Sequence, residues 1–84
     1  MFCAYLLKSK KDNDLYIGYT NNLKRRVDDY SKGLVSSTKA RKPFDLIYFE
    51  CYKSENDARH RGKNLKLRSR AFAQLKKRIK VSLS

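Results

Sequence analysis

Four side chains in this 84-residue sequence could handle a proton or a negative charge together: Tyr5, Tyr16, Arg26 and Tyr30. A phenol ordinarily ionises near pH ~10, and a cation held beside it favours the phenolate, so a tyrosine with a neighbouring arginine is a workable proton acceptor. The guanidinium itself can clamp an anionic oxygen through its fork of N–H groups. A fifth position is defined by what it lacks. Gly62 lies inside "ARHRGKNLK", a basic helical run, where an interior glycine costs about 1 kcal/mol relative to alanine. Each of the four also has an ordinary reading: two strand aromatics, a tyrosine packed between helix and sheet, and a base with its stem along the surface. The elements that carry them decide between the two.

"FCAYLLKS" (residues 2–9) and "LYIGYT" (15–20) are apolar and aromatic runs separated by the turn-rich "KKDND", the pattern of a β-hairpin. Alternation places Tyr5 with Cys3 and Leu7 on one face, and Tyr16 with Gly18. Pairing in which residue numbers sum to about 21 sets Tyr5 opposite Tyr16, with Gly18 making room beside them. "TNNLKRRVDDYSKG" then opens on N-cap residues and closes on Gly33, which predicts a helix over about 21–31. Its inward stripe is Leu23, Arg26, Val27 and Tyr30, so a cation and a phenol share the side that packs on the sheet. After the polar "LVSSTKARKP" comes a third strand, "FDLIYFECY". Ser54 followed by Asp57 has capping-box spacing and starts a second helix near residue 55. Its stripe of Ala58, Arg61, Gly62 and Leu65 points Gly62 at the interior occupied by Arg26 and Tyr30. "SRAFAQLKKRIK" predicts a third helix with Phe72, Leu75 and Ile79 inward. The expected fold is α+β, one domain over 1–84, a small three-stranded antiparallel sheet flanked by three helices.

Charge points to the partner. Lys and Arg number 21 against 8 Asp and Glu, a formal +13, and residues 58–84 hold ten bases and no acid. Such a polycation attracts phosphate by releasing counterions, which makes DNA, or alternatively RNA, the leading partner. The candidate phosphate contacts are Lys39, Arg41, Arg59, Arg61, Lys63, Lys66, Arg68, Arg70, Lys76 and Lys77. With no run of about 18 apolar residues and no signal-peptide pattern, neither a membrane nor export is expected, and the protein is expected to be cytoplasmic. No obligate protein partner is evident. Cys3 and Cys51 lie in apolar runs without a CxxC or a nearby His, and are expected to be reduced core residues. His60 falls on an outward helical position.

The segment "LYIGYTNNLKRRVDDY" resembles the GIY-YIG nuclease superfamily, especially its small stand-alone bacterial members and the amino-terminal nuclease domain of the excision-repair enzyme. "YIG" stands intact at residues 16–18, and "AYL" carries Tyr5 on the tyrosine of the first half-motif. "NLKRRVDDY" looks like the family's first helix, with Arg26 on its catalytic arginine and Tyr30 on a position that is His or Tyr. The resemblance, extended by "RKPFDLIYFE", covers about residues 2–80 and implies the same sheet-and-helix fold. It implies endonuclease chemistry on a DNA phosphodiester, with Tyr5, Tyr16, Arg26 and Tyr30 as the catalytic set and Mg²⁺ or Mn²⁺ as the ion. In the family one glutamate on the second long helix holds that ion. Here Ala58, Arg61, Leu65 and Lys66 match the helix pattern, and Gly62 stands where the glutamate is expected.

A hard ion of this kind is normally held by carboxylates and waters, and glycine supplies neither. Glu55 lies seven residues before Gly62, roughly 10 Å along the helix, and Asp57 five residues before it on a different face, so neither is a good substitute. Glu50, at the end of the third strand, is a reserve ligand whose ordinary reading is an ion pair. Two functions follow: a metal-dependent endonuclease domain with a substituted site, or a nuclease-fold module that binds DNA or RNA without cutting.

Overall fold

In the computed structural model, which describes residues 1–68 and 70–84, three strands form one antiparallel sheet in the order β2-β1-β3. The strands are β1 (Phe2–Ser9), β2 (Leu15–Thr20) and β3 (Phe44–Tyr52). Helix α1 (Leu23–Ser31) follows the hairpin, a single 3-10 turn spans Lys39–Arg41, and α2 (Glu55–Lys66), α3 (Arg70–Arg78) and the short α4 (Lys80–Leu83) follow β3. The α+β architecture is the expected one, with α4 added where Ile79 breaks the last helical run. The expected start of that run at Ser69 lies outside the described residues.

The hairpin register differs from the expected one. Tyr5 pairs with Gly18, and Leu7 with Tyr16. The cause is the loop, where Ser9 N–H donates to Asp14 C=O at 2.9 Å and Asn13 N–H to Ser9 C=O at 2.9 Å. Asn13 takes φ 63°, the left-handed region that asparagine enters more readily than most residues. The loop is two residues longer than a tight turn, and a shift of two preserves the facing of every side chain. Tyr5 and Tyr16 therefore remain on one face, one rung apart.

The helix ends follow local chemistry. Asn22 caps α1 by accepting from Arg25 N–H at 3.2 Å, and Ser54 caps α2 by accepting from Asp57 N–H at 3.4 Å. Past α1, Gly33 at φ +75° turns the chain so that Leu34 N–H reaches Asp29 C=O, a left-handed termination for which glycine is suited. On β3 the pairing skips Ile47 between Tyr48 and Leu46, a bulge that kinks the strand.

Alternation along β1 splits the interior in two. Leu6 and Ile17 pack with Leu65 of α2 and with Phe72 and Leu75 of α3. Tyr5 and Leu7 face the other way, onto Tyr30 of α1 and Phe44, flanked by Tyr16, Leu23 and Val27. Gly62 therefore does not share an interior with Arg26 and Tyr30. It belongs to the α2 face, against the Gly18 carbonyl and the Tyr19 Cβ. The sequence stripe on α2 is correct, but the two helices cover opposite faces.

Cys3 and Cys51 are joined as a disulfide, not reduced. The physical reason is register: the two are directly paired across β1 and β3, a proximity that a separation of 48 residues does not disclose. No helix of the described residues is long and apolar enough to cross a membrane.

The two helix- and strand-borne glycines of the site are not alike. A Cβ on Gly18 would lie 2.5 Å from the Tyr5 hydroxyl oxygen and 2.8 Å from its Cζ, so the buried Tyr5 ring must move to admit it. A Cβ on Gly62 would meet nothing closer than the Gly18 carbonyl oxygen at 3.6 Å, and Gly62 does not have positive φ. Gly18→Ala is expected to destabilise the fold by about 1–3 kcal/mol through overpacking. Gly62→Ala is expected to stabilise it by about 0.5–1 kcal/mol through helix propensity, both read by thermal and denaturant melts. A destabilised Gly62→Ala protein would mean that the backbone requires the glycine. Reducing the disulfide should lower stability by about 2–4 kcal/mol in the same melts, and an unchanged midpoint would show that the cross-link contributes nothing.

Candidate functional site

Antiparallel pairing and α1 together assemble a tyrosine cluster on one face of the sheet. Tyr5, 2% exposed, comes from the central strand and Tyr16, half-buried, from the edge strand. Tyr30 reaches them from α1, its ring edge-on to Tyr5 with centroids 6.2 Å apart and to Phe44 at 5.2 Å. Phe44 also packs edge-on against Tyr16 at 5.4 Å. Such edge-to-face contacts suit the ring quadrupoles and fix the phenols in place.

Each strand tyrosine has its own arginine. Arg26 Nε donates to the Tyr5 hydroxyl at 3.4 Å while its guanidinium carbon lies 5.2 Å over the Tyr30 ring. Arg41 donates to the Tyr16 hydroxyl at 2.7 Å, a pairing that the sequence did not suggest because 25 residues separate the two. Arg41 is held from three sides. Its Nε lies 3.2 Å from Asp12 Oδ2, its carbonyl accepts from the buried Ser9 hydroxyl at 2.6 Å, and Lys11 binds the preceding Ala40 carbonyl. The hairpin loop thus positions a base that sequence reading assigned only to phosphate contact.

These contacts set the proton affinities. Burial pushes the Tyr30 phenol up to about 12, helped by the Tyr5 hydroxyl beside it, although Arg26 works in the other direction. Tyr30 is therefore a neutral hydrogen-bonding group near neutral pH, suited to orienting an oxygen. The hydrogen bond to Tyr5 raises Arg26, and the one to Tyr16 raises Arg41, so both guanidiniums stay charged. Beyond Tyr5, Arg26 lines a cavity of about 160 Å³ with Thr20, Asn21, Asn22, Arg25 and Asp29. An anion entering there meets two arginines and one carboxylate.

Across β2 lies a second opening of about 200 Å³, lined by Gly18, Tyr19, Arg59, Gly62, Lys63 and Lys66. Arg59 donates to the Tyr19 hydroxyl at 3.2 Å, and its guanidinium lies 5.7 Å over the Tyr19 ring. Neither Tyr19 nor the Arg59–Tyr19 pairing is legible in the sequence by spacing, since 40 residues separate them.

The donor set does not fit a hard divalent ion. Gly62 has no side chain, and the opening beside it is flanked by three bases. Among the described residues no three His, Cys, Asp or Glu side chains converge as a metal site would require. Glu50, the reserve ligand, forms an ion pair with Arg61 and accepts from the Tyr48 hydroxyl at 2.8 Å. Burial opposes its ionisation, but the bonds from Arg61 and Tyr48 outweigh that and hold the carboxyl below its ordinary value. Its strand neighbour across the sheet is Ala4, so it lies on the α2 face, away from Tyr5 and Tyr16. Arg61, expected to contact phosphate, is committed to this pair and only partly exposed. Lys39, Lys63, Lys66, Arg70 and Lys77 are exposed. Arg68 donates to the Leu15 carbonyl at 3.1 Å, and both it and Lys76 lie over the Phe72 ring, leaving their charged ends at the surface. His60 is exposed.

The chain is 44% identical to a UPF0213 protein of Pediococcus pentosaceus over 71 residues, 83% of this chain and 74% of the relative. It is 39% identical to a UPF0213 protein of Staphylococcus haemolyticus over 80% of this chain and 82% of that one. It is likewise 39% identical to a UPF0213 protein of Clostridium perfringens over 69% of this chain and 62% of that one. No solved structure matches the chain significantly. A family model described as the GIY-YIG catalytic domain matches residues 1–79, spanning both half-motif strands, α1 and the helix that bears Gly62. The chain belongs to the GIY-YIG family of nuclease-type domains.

Proposed function

We propose that this chain is a nuclease-fold module that binds DNA or RNA through phosphate and does not cut by the family's metal-dependent route. The observation that carries the reading is Gly62, set among Arg59, Lys63 and Lys66 where the family places a carboxylate. Removing a sole metal ligand removes most of the charge stabilisation that a metal offers to phosphoryl transfer. Binding needs no metal. Arg26 and Arg41 beside the tyrosines, and the exposed bases of α2 and α3, offer donors to non-bridging phosphate oxygens.

A second reading keeps hydrolysis, and the Tyr16–Arg41 pair favours it. A phenol hydrogen-bonded by a guanidinium at 2.7 Å is placed to accept a proton from water, with Arg26 clamping an oxygen and Tyr30 orienting it. That reading requires a carboxylate from outside the described site.

Nicking of supercoiled plasmid in Mg²⁺ or Mn²⁺ separates the two. The protein as it stands is expected not to cut with either ion, and Tyr16→Phe is expected to change nothing. Cutting by the unaltered protein that Tyr16→Phe abolishes would establish the second reading. Affinity for a DNA duplex is expected to fall on the order of a thousandfold between ~50 and ~200 mM salt, as several phosphate contacts demand. A flat salt response would overturn binding led by phosphate.

A further inference from the structure

The opening at Gly62 has two unlike surfaces. Its floor carries no charge and is made by the Gly18 backbone, Gly62 and the side of Tyr19, while its rim is Arg59, Lys63 and Lys66. At about 200 Å³ it falls below the roughly 300–1,000 Å³ of drug-sized ligand sites and suits one flat ring with an anionic edge. A rim of three bases around an aromatic floor is complementary to that combination. A phosphate alone would use the rim and leave the floor idle.

We infer that the Gly62 notch takes one unpaired nucleotide of a single-stranded nucleic acid, with its base against Tyr19 and its phosphate between Lys63 and Lys66. The inference rests on the reading of the chain as a nucleic-acid-binding module and names the form of nucleic acid that one part of it selects. Tyr19 is 36% exposed, so its ring is available, and the Arg59 bond to its hydroxyl holds it in position. Arg59 adds a second flat cationic surface over that ring. A duplex offers phosphates to the rim, but its bases are stacked within the helix and cannot reach the floor. Gly62 is what keeps the space open. Its Cβ position is in ordinary contact with Gly18 and Tyr19, so a longer side chain would extend from there into the notch without disturbing the backbone.

The test is fluorescence polarisation with the full chain at low salt and three probes of equal length: a labelled single-stranded oligonucleotide, its duplex, and the single strand with abasic positions. The unaltered protein is expected to prefer the single strand and to lose that preference on the abasic probe. Tyr19→Ala and Gly62→Met should each weaken single-strand binding about tenfold, the scale of one base stacked on an aromatic ring, and leave duplex binding within about twofold. Tyr19→Phe, which keeps the ring, should retain the preference. Circular dichroism melts confirm that each variant is folded, and Tyr19→Leu replaces Tyr19→Ala if the latter is not. Equal losses on single strand and duplex, unchanged binding in both variants, or an abasic probe bound as well as the intact strand would each overturn the notch. Absence of binding to every probe by the unaltered protein would instead overturn the underlying phosphate-binding reading.

Discussion

The site rests on one close approach. The hydroxyl end of the Tyr5 ring occupies the space beside Gly18, where a Cβ would stand 2.5 Å from the phenolic oxygen. That contact lets a large aromatic sit buried on the central strand and still present its hydroxyl at the margin of the sheet, where Arg26 meets it. On the reverse side the same glycine exposes its carbonyl to α2, and Gly62 packs against it. One strand residue without a side chain thus brings a helix close on one face and a tyrosine close on the other. The two cavities, one beside Arg26 and one beside Gly62, flank this point.

Around it the structure supports the tyrosines by two routes. Tyr5 and Tyr30 are held by burial, and Arg26 reaches both from α1. Tyr16 is held by the hairpin loop and the 3-10 turn, through Ser9, Asp12 and Arg41. The buried Ser9 hydroxyl is the hinge of this second arrangement, since it receives Lys11 and Asp12 N–H and donates to the Arg41 carbonyl. Its hydrogen-bonding capacity is filled, which is what burial of a hydroxyl demands.

What the sequence disclosed follows the range of the interactions. Strand and helix extents, the N-caps at Asn22 and Ser54 and the left-handed Gly33 are local, written in adjacent residue types and capping chemistry. The α1 stripe was legible for the same reason, and with it the placement of Arg26 and Tyr30 against the sheet. Register, facing and long-range pairing were not. A two-residue difference in the hairpin loop moved Tyr5 from Tyr16 to Gly18, and nothing local to α2 says which face of the sheet it covers. The disulfide, the Arg41–Tyr16 pair and the Arg59–Tyr19 pair join residues 48, 25 and 40 positions apart, and each depends on that unseen register. Glu50 was legible as an ion-pair carboxylate, but its partner, Arg61, could be identified only once α2 was laid on β3.

Gly62 remains the position at which stability and recognition diverge. A glutamate there would stand four residues before Lys66 and three after Arg59, the helical spacings at which opposite charges meet. Without a metal it would draw those bases to itself and lower the local positive potential. Glycine removes both the charge and the bulk. Arg59 then turns to Tyr19 and Glu55, whereas Lys63 and Lys66 make no ion pair among the described residues. Neither backbone conformation nor crowding requires the glycine, so its helix cost of about 1 kcal/mol is not offset within the helix. What it provides is an open, positively rimmed floor beside an aromatic ring. That is a poor setting for Mg²⁺, and its rim of bases around an uncharged floor is what the proposed nucleotide site rests on.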